Sequence, residues 1–187
     1  GAVDQAQGLL NEILLISSQN HDRWGIANAF NCLAQIALAR EPAHLEEANY
    51  FLSESAAIFR ELGARWLLVT VLNNLGQVAC RRQECAAAKK AYLGALDIAA
   101  TDAIWPAVME ALVGLAEVLL TEDAPTPAAE LIAQVINHPA SSQPVRHKAN
   151  QLWTSLAANL GPAQLAAVGA RPIEEVIADL LVTGRAS

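Results

Sequence analysis

The segment RWGIANAFNCLAQIALA, which begins at Arg23, returns at Arg65 as RWLLVTVLNNLGQVACR and, more weakly, at Met109 as MEALVGLAEVLLT. Trp24 and Trp66 are 42 residues apart, Leu33 and Leu75 are also 42 apart, and Leu115 follows Leu75 by 40. Each copy is followed by a second related stretch: EEANYFLSESAAIFRELG, CAAAKKAYLGALDIAA and PAAELIAQVINH. Ala48, Ala88 and Ala128 correspond in these, as do Leu52, Tyr92 and Ile132, then Ser55, Ala95 and Val135. Such a period marks an array of supersecondary units, each too small to bury its apolar faces alone.

The unit is a pair of helices. With 38 Ala and 26 Leu the chain is rich in strong helix formers. Within each second stretch, a small residue is followed four positions later by a large one on the same helical face. The small residue lets two backbones approach, and the large one fills the space beside them. Ala34 and Gly76 play the small part in the first stretch. Stacked pairs of this kind give an all-α, right-handed solenoid of antiparallel helix pairs, with about eight to ten helices.

Punctuation sets the boundaries. Helices are predicted near 4–19, 22–40, 43–62, 64–81, 84–100, 103–121, 125–137 and 143–160. Glu41-Pro42, Pro125 and Pro127 suit helix starts, and Gly63 suits a stop. A short turn of helix is expected after Gly161-Pro162, and a last helix from Arg171-Pro172 to about Val182. One domain over 1–187 is expected: residues 1–21 as the second helix of a repeat, repeats over 22–63, 64–102 and 103–138, and capping helices over 139–187.

Several function classes are disfavoured. The net charge of −7 does not suit a nucleic-acid backbone. The most apolar stretch, Ala103 to Leu120, contains Pro106, Glu110 and Glu117, so no membrane span is expected. The three cysteines, Cys32, Cys80 and Cys85, are odd in number and form no CxxC pair, which suits a reducing, cytoplasmic setting. The four histidines lie in separate segments without ligand spacing, so no metal is expected. No phosphate-binding or nucleophile motif is present, and no cofactor or catalytic role is predicted.

Leu75-Gly76, Ala79, Ala88, Tyr92 and Ala95 fall on the signature positions of a tetratricopeptide repeat, which the chain resembles over nearly its whole length. It departs from that pattern in its period of 40 to 42 residues and in lacking the usual repeat-ending proline. Longer repeats of this kind resemble those closing the bacterial STAND signal-transduction ATPases, including maltose-activator-like and LuxR-type regulators. The block DRWGIANAFNCLAQIA and the closing stretch LIAQVINHPASSQPVRHKANQLWTSLAANLGPAQLAAVGARPIEEVIADLL carry that likeness. It implies a non-catalytic, C-terminal sensing or interaction domain of a bacterial transcription regulator, with upstream domains and a protein or peptide ligand as partners. A free-standing scaffold is the alternative; a small-molecule sensor or an all-α enzyme are further readings.

With Leu33, Leu75 and Leu115 inward, the first helices present a polar row: Asn28, Asn31 and Gln35, then Thr70, Asn73, Gln77 and Arg81, then Glu110 and Glu117. Asn31 and Asn73 share a repeat position. Amides both donate and accept, so such a row on a concave face can hold a peptide backbone. Its alternative is the solvated side of amphipathic helices. Trp24 and Trp66 are expected to pack between adjacent pairs, with an exposed docking role as the other reading. Ala6 precedes Trp24 by 18, as Ala48 precedes Trp66, so the first helix reads as the second half of a repeat. Leu10 and Ile13 should then face inward, while Leu14 and one side of Leu9 are left uncovered. A weak homodimer through this helix is expected.

Overall fold

The computed structural model describes residues 2–40, 42–157, 160, 168 and 171–186. Among them are nine helices and no strand. In chain order they are α1 (Ala2–Gln19), α2 (Arg23–Ala39), α3 (Leu45–Glu61), α4 (Arg65–Arg81), α5 (Cys85–Thr101), α6 (Trp105–Thr121), α7 (Pro125–Asn137), α8 (Gln143–Ala157) and α9 (Ile173–Ala186). The predicted helices match these to within a few residues. The helical turn expected after Gly161-Pro162 lies outside the described residues.

Each helix from α1 to α7 packs on the next, α4 also packs on α6 and α6 on α8, and α9 packs on α5. The first helix of each pair therefore lines one side of the stack, the inner face, and the second helices line the outer face. Ala48, Ala88 and Ala128 are fully buried, as their role in close approach requires. Ser55, in the same register, donates its Oγ to the Ala27 carbonyl at 2.9 Å, which joins α3 to α2. Ion pairs repeat as well: Arg23 meets Glu61, and Arg65 meets Asp102 through two bonds of 2.7 and 2.9 Å. Each ties the start of a first helix to the end of its partner.

The connections share one geometry. A single residue with positive φ, one of His21, Gly63, Gln83, Ala103 and Asp123, ends a helix and reverses the chain. Its amide and that of the next residue bond back to the last turn, as Gln83 does to Cys80 and Glu84 to Ala79. Two connections differ. After α2 and after α7 the chain leaves in extended conformation at Arg40 and His138. At the second break, His138 stacks on Trp105 with ring centroids 5.2 Å apart, and its Nδ1 accepts from the Ala140 amide at 3.2 Å.

Tyr92 is the keystone of the central pairs. Its ring lies between Gly76 on α4 and Gly114 on α6, where a Cβ on either glycine would collide with it. A glycine inside a helix lowers its propensity, so the two glycines within α4 and α6 reflect this slot. Leu33 and Leu115 are buried as expected, whereas Leu75 is only half-buried. It forms part of the floor of a groove on the outer face.

Two expectations are corrected. Trp24 and Trp66 are 54% and 63% exposed rather than packed between pairs. Trp66 precedes Thr70, Asn73 and Gln77 at steps of four, three and four, and so lies on their stripe rather than on the core stripe. In α1, Leu10 and Leu14 are half-buried and Ser17 is buried, while Ile13 is 47% exposed. Ile13 is equivalent to Ser55, whose neighbour is the first helix of its own pair, and among the described residues no such helix precedes α1.

Candidate functional site

On the inner face, α4, α6 and α8 enclose a cavity of about 280 Å³ lined by Asn73, Asn74, Gln77, Tyr92, Glu110 and Lys148, among others. It borders a wider recess of about 670 Å³ that shares Gln77 and Lys148 and adds Cys80, Arg81, Cys85 and Glu117. The two make one groove along the inner side of the stack.

Asn73 is at its centre and only 6% exposed. The spacing that puts it on the inner stripe also points it at the next pair: Nδ2 donates to the Ala107 carbonyl at 3.2 Å and to Glu110 Oε2 at 3.3 Å. Its Oδ1 is buried and has no partner. An unpaired buried carbonyl is costly, on the order of 1–3 kcal/mol, and a donor brought into the cavity would relieve it.

Glu110 keeps much of its surface in solvent, but its carboxyl turns into the cavity. Desolvation there raises its pKa above the ordinary value, against the Asn73 bond, which favours the carboxylate. Across the groove, Lys148 of α8 reaches Glu117 Oε2 at 2.7 Å. Tyr92 comes from the outer layer, passes between the two glycines and meets Cys80 on the inner side. Burial first, then the Cys80 and Glu117 charges, push its pKa well up. Burial and then the Glu117 charge raise the Cys80 thiol as well, against the bond from Tyr92. Both groups are therefore neutral hydrogen-bonding surfaces at neutral pH rather than nucleophiles.

Of the polar row predicted from sequence, Asn73, Gln77, Arg81, Glu110 and Glu117 come together in this groove. Asn28, Asn31, Gln35 and Thr70 lie outside it. Asn28 and Thr70 turn back on their own helix, donating to the Trp24 and Trp66 carbonyls at 2.9 and 3.3 Å. Asn31 is half-buried and, like Asn73, has a buried Oδ1 without a partner. The same defect at the same repeat position is a repeated feature of this face.

Comparisons with protein-family models, with curated proteins and with solved structures find no match to this chain. The site is therefore read from its own geometry.

Sequence reasoning missed Lys148, Tyr92 and Cys80 as groove residues. The signal for Tyr92 was present in Gly76 and Gly114, two glycines inside strongly helical stretches. Lys148 carried none, because α8 belongs to no repeat copy and reaches the groove only through the stacking. Among the described residues no helix is long and apolar enough to cross a membrane, and no cluster of three or more ligating side chains could hold a metal.

Proposed function

We propose that this chain is a non-catalytic binding domain of tetratricopeptide type that holds an extended protein or peptide segment along the inner groove. The observation that carries the reading is Asn73, buried, repeat-matched to Asn31, and left with an unpaired carbonyl beside a cavity. A peptide amide donated to Oδ1 would satisfy it. Gln77, Asn74 and Lys148 then supply donors and acceptors for the rest of an extended backbone without reading its side chains. The exposed indole of Trp66, two turns before Asn73 on the same stripe of α4, gives an apolar side chain of the ligand a surface to lie on.

In the wider setting implied by the resemblance to STAND regulators, occupancy of the groove biases upstream domains of a bacterial signalling ATPase. A scaffold that only assembles other proteins would use the same groove. The test is a random-peptide library selected on the chain, with enriched peptides measured calorimetrically. Asn73→Ala is expected to weaken binding by up to about tenfold, the upper range for a single neutral hydrogen bond, while the melting curve stays cooperative. Equal affinity for wild type and for the Asn31→Ala/Asn73→Ala pair would return the row to solvated surface.

A further inference from the structure

The outer face carries two equivalent grooves, and among the described residues a helix fills only one. Between α5 and α7, over α6, the groove is crossed by α9. Gln134 Nε2 on α7 donates to the Arg171 carbonyl at 2.8 Å, Arg171 lies 3.6 Å from Glu130, and at the far end Gly184 packs so closely on Leu93 of α5 that a Cβ there would collide. Val176 and Ile177 are buried in the process. A cavity of about 270 Å³ remains beneath the helix.

One repeat earlier, between α3 and α5 over α4, lies an open groove of about 650 Å³. Its walls include Ser53, Leu75, Ala79, Lys90 and Ala91. Forty residues on, Leu93, Leu115, Leu119, Glu130 and Leu131 line the groove under α9. The open groove is thus the same structural element in the preceding repeat, with no described helix across it.

Its charge tells what fits. In the filled groove, Glu130 faces Arg171, just ahead of α9. In the open one the same position is Lys90, on a wall that also carries Arg60 and Asp97. At this one position the sign is reversed.

We propose that the α3–α5 groove docks an amphipathic helix from a partner protein, with apolar residues four apart, as Val176, Leu180 and Gly184 are in α9, and with an acidic residue where α9 is preceded by Arg171. The reversed charge at Lys90 disfavours a second copy of α9 itself, so the two grooves discriminate between the chain's own helix and a foreign one. This surface is on the opposite side from the inner groove and does not depend on peptide binding there.

The probe is a fluorescent peptide of residues 171–186 in two forms, natural and Arg171→Glu, titrated by anisotropy against the full chain. The Arg171→Glu form is expected to bind wild type about two- to fivefold more tightly than the natural form, the range of a solvent-exposed ion pair. Lys90→Glu should invert that preference. Gly94→Leu should remove binding of both, because it fills the groove; a Cβ at Gly94 meets only Leu72 Cδ1, at an ordinary 3.6 Å, and a cooperative melt near the wild-type midpoint checks that the variant folds. No saturable binding up to millimolar peptide would overturn the proposal. Binding that favours the natural peptide and ignores Gly94→Leu would also overturn it, since that is exchange with α9 in its own groove. A dimer of the chain alone that Gly94→Leu abolishes would replace the foreign partner with a second copy.

Discussion

Ser55 and Ile13 hold the same place in two equivalent helices, 42 residues apart, yet the serine is fully buried and the isoleucine is 47% exposed. The difference lies in the neighbours. Ser55 touches the first helix of its own pair and gives that helix a hydrogen bond, whereas among the described residues α1 packs chiefly on α2. Leu9 and Ile16 are exposed for the same reason, at 61% and 56%. In the middle of the stack every helix has neighbours on both sides, so Tyr92, Leu96, Leu112 and Leu115 are buried to within a few per cent. In a stacked array burial follows position in the stack more closely than residue type, and stability should follow the same gradient.

The largest contrast is expected when one large side chain is cut from each region. Tyr92→Ala should cost about 3–5 kcal/mol, the range for losing a buried aromatic, because the glycine slot cannot close around an alanine. Leu10→Ala in α1 should cost about 1 kcal/mol, since its side chain is only half-buried. Urea denaturation of the two variants measures both. Equal costs would mean that α1 is held as firmly as the centre.

A second prediction tests the uncovered face of α1. An apolar strip of Leu9, Ile13 and Ile16 on a helix with no outer neighbour among the described residues favours pairing of two copies of this chain. Sedimentation at high concentration should show weak dimers, and Leu9→Glu with Ile13→Glu should make the chain monomeric while changing stability by no more than about 0.5 kcal/mol, as for other surface changes. A wild-type monomer at every concentration would remove the dimer; a large loss of stability in the double variant would show that the face is covered after all.

The smallest effect belongs to Glu110. Its raised pKa means that folding favours the protonated carboxyl. Its contribution to stability is therefore full below the ordinary value of 4.5 and is lost as pH rises through the raised one. Glu110→Gln, which carries no charge at any pH, should gain on wild type at pH 7 and lose that advantage in acid. Asn73→Ala should raise the Glu110 pKa further, because the Asn73 amide favours the carboxylate. A carbon-detected carboxyl titration reads both, and an unchanged pKa in Asn73→Ala would separate Glu110 from the groove.

The helix pairs were legible because they rest on local causes. Ala and Leu set the propensity, small residues at 48, 88 and 128 mark close approach, and a stripe of period 3.6 marks the buried face. The centre of the candidate site was half legible for the same reason. Asn73, Gln77, Arg81, Glu110 and Glu117 lie on first-helix stripes that face the groove, and the periodicity placed them there. It placed Asn28, Asn31, Gln35 and Thr70 on equivalent stripes too, and could not tell that the groove forms only where α8 comes beside α4 and α6.

The repeating unit was set by the sequence alone: two helices, their approximate lengths, most of their inward faces, and the stop at Gly63. Those follow from interactions within about one turn of helix or across one short connection. The tertiary structure alone decided which copies of a repeated position do different work. It left Trp24 and Trp66 on the exposed stripe, set Lys148 across from Gln77, and laid α9 over one outer groove and not over its equivalent. Each outcome depends on a neighbour tens of residues away in the chain, where burial and charge are set by what the stack brings alongside and not by the residue's own preference.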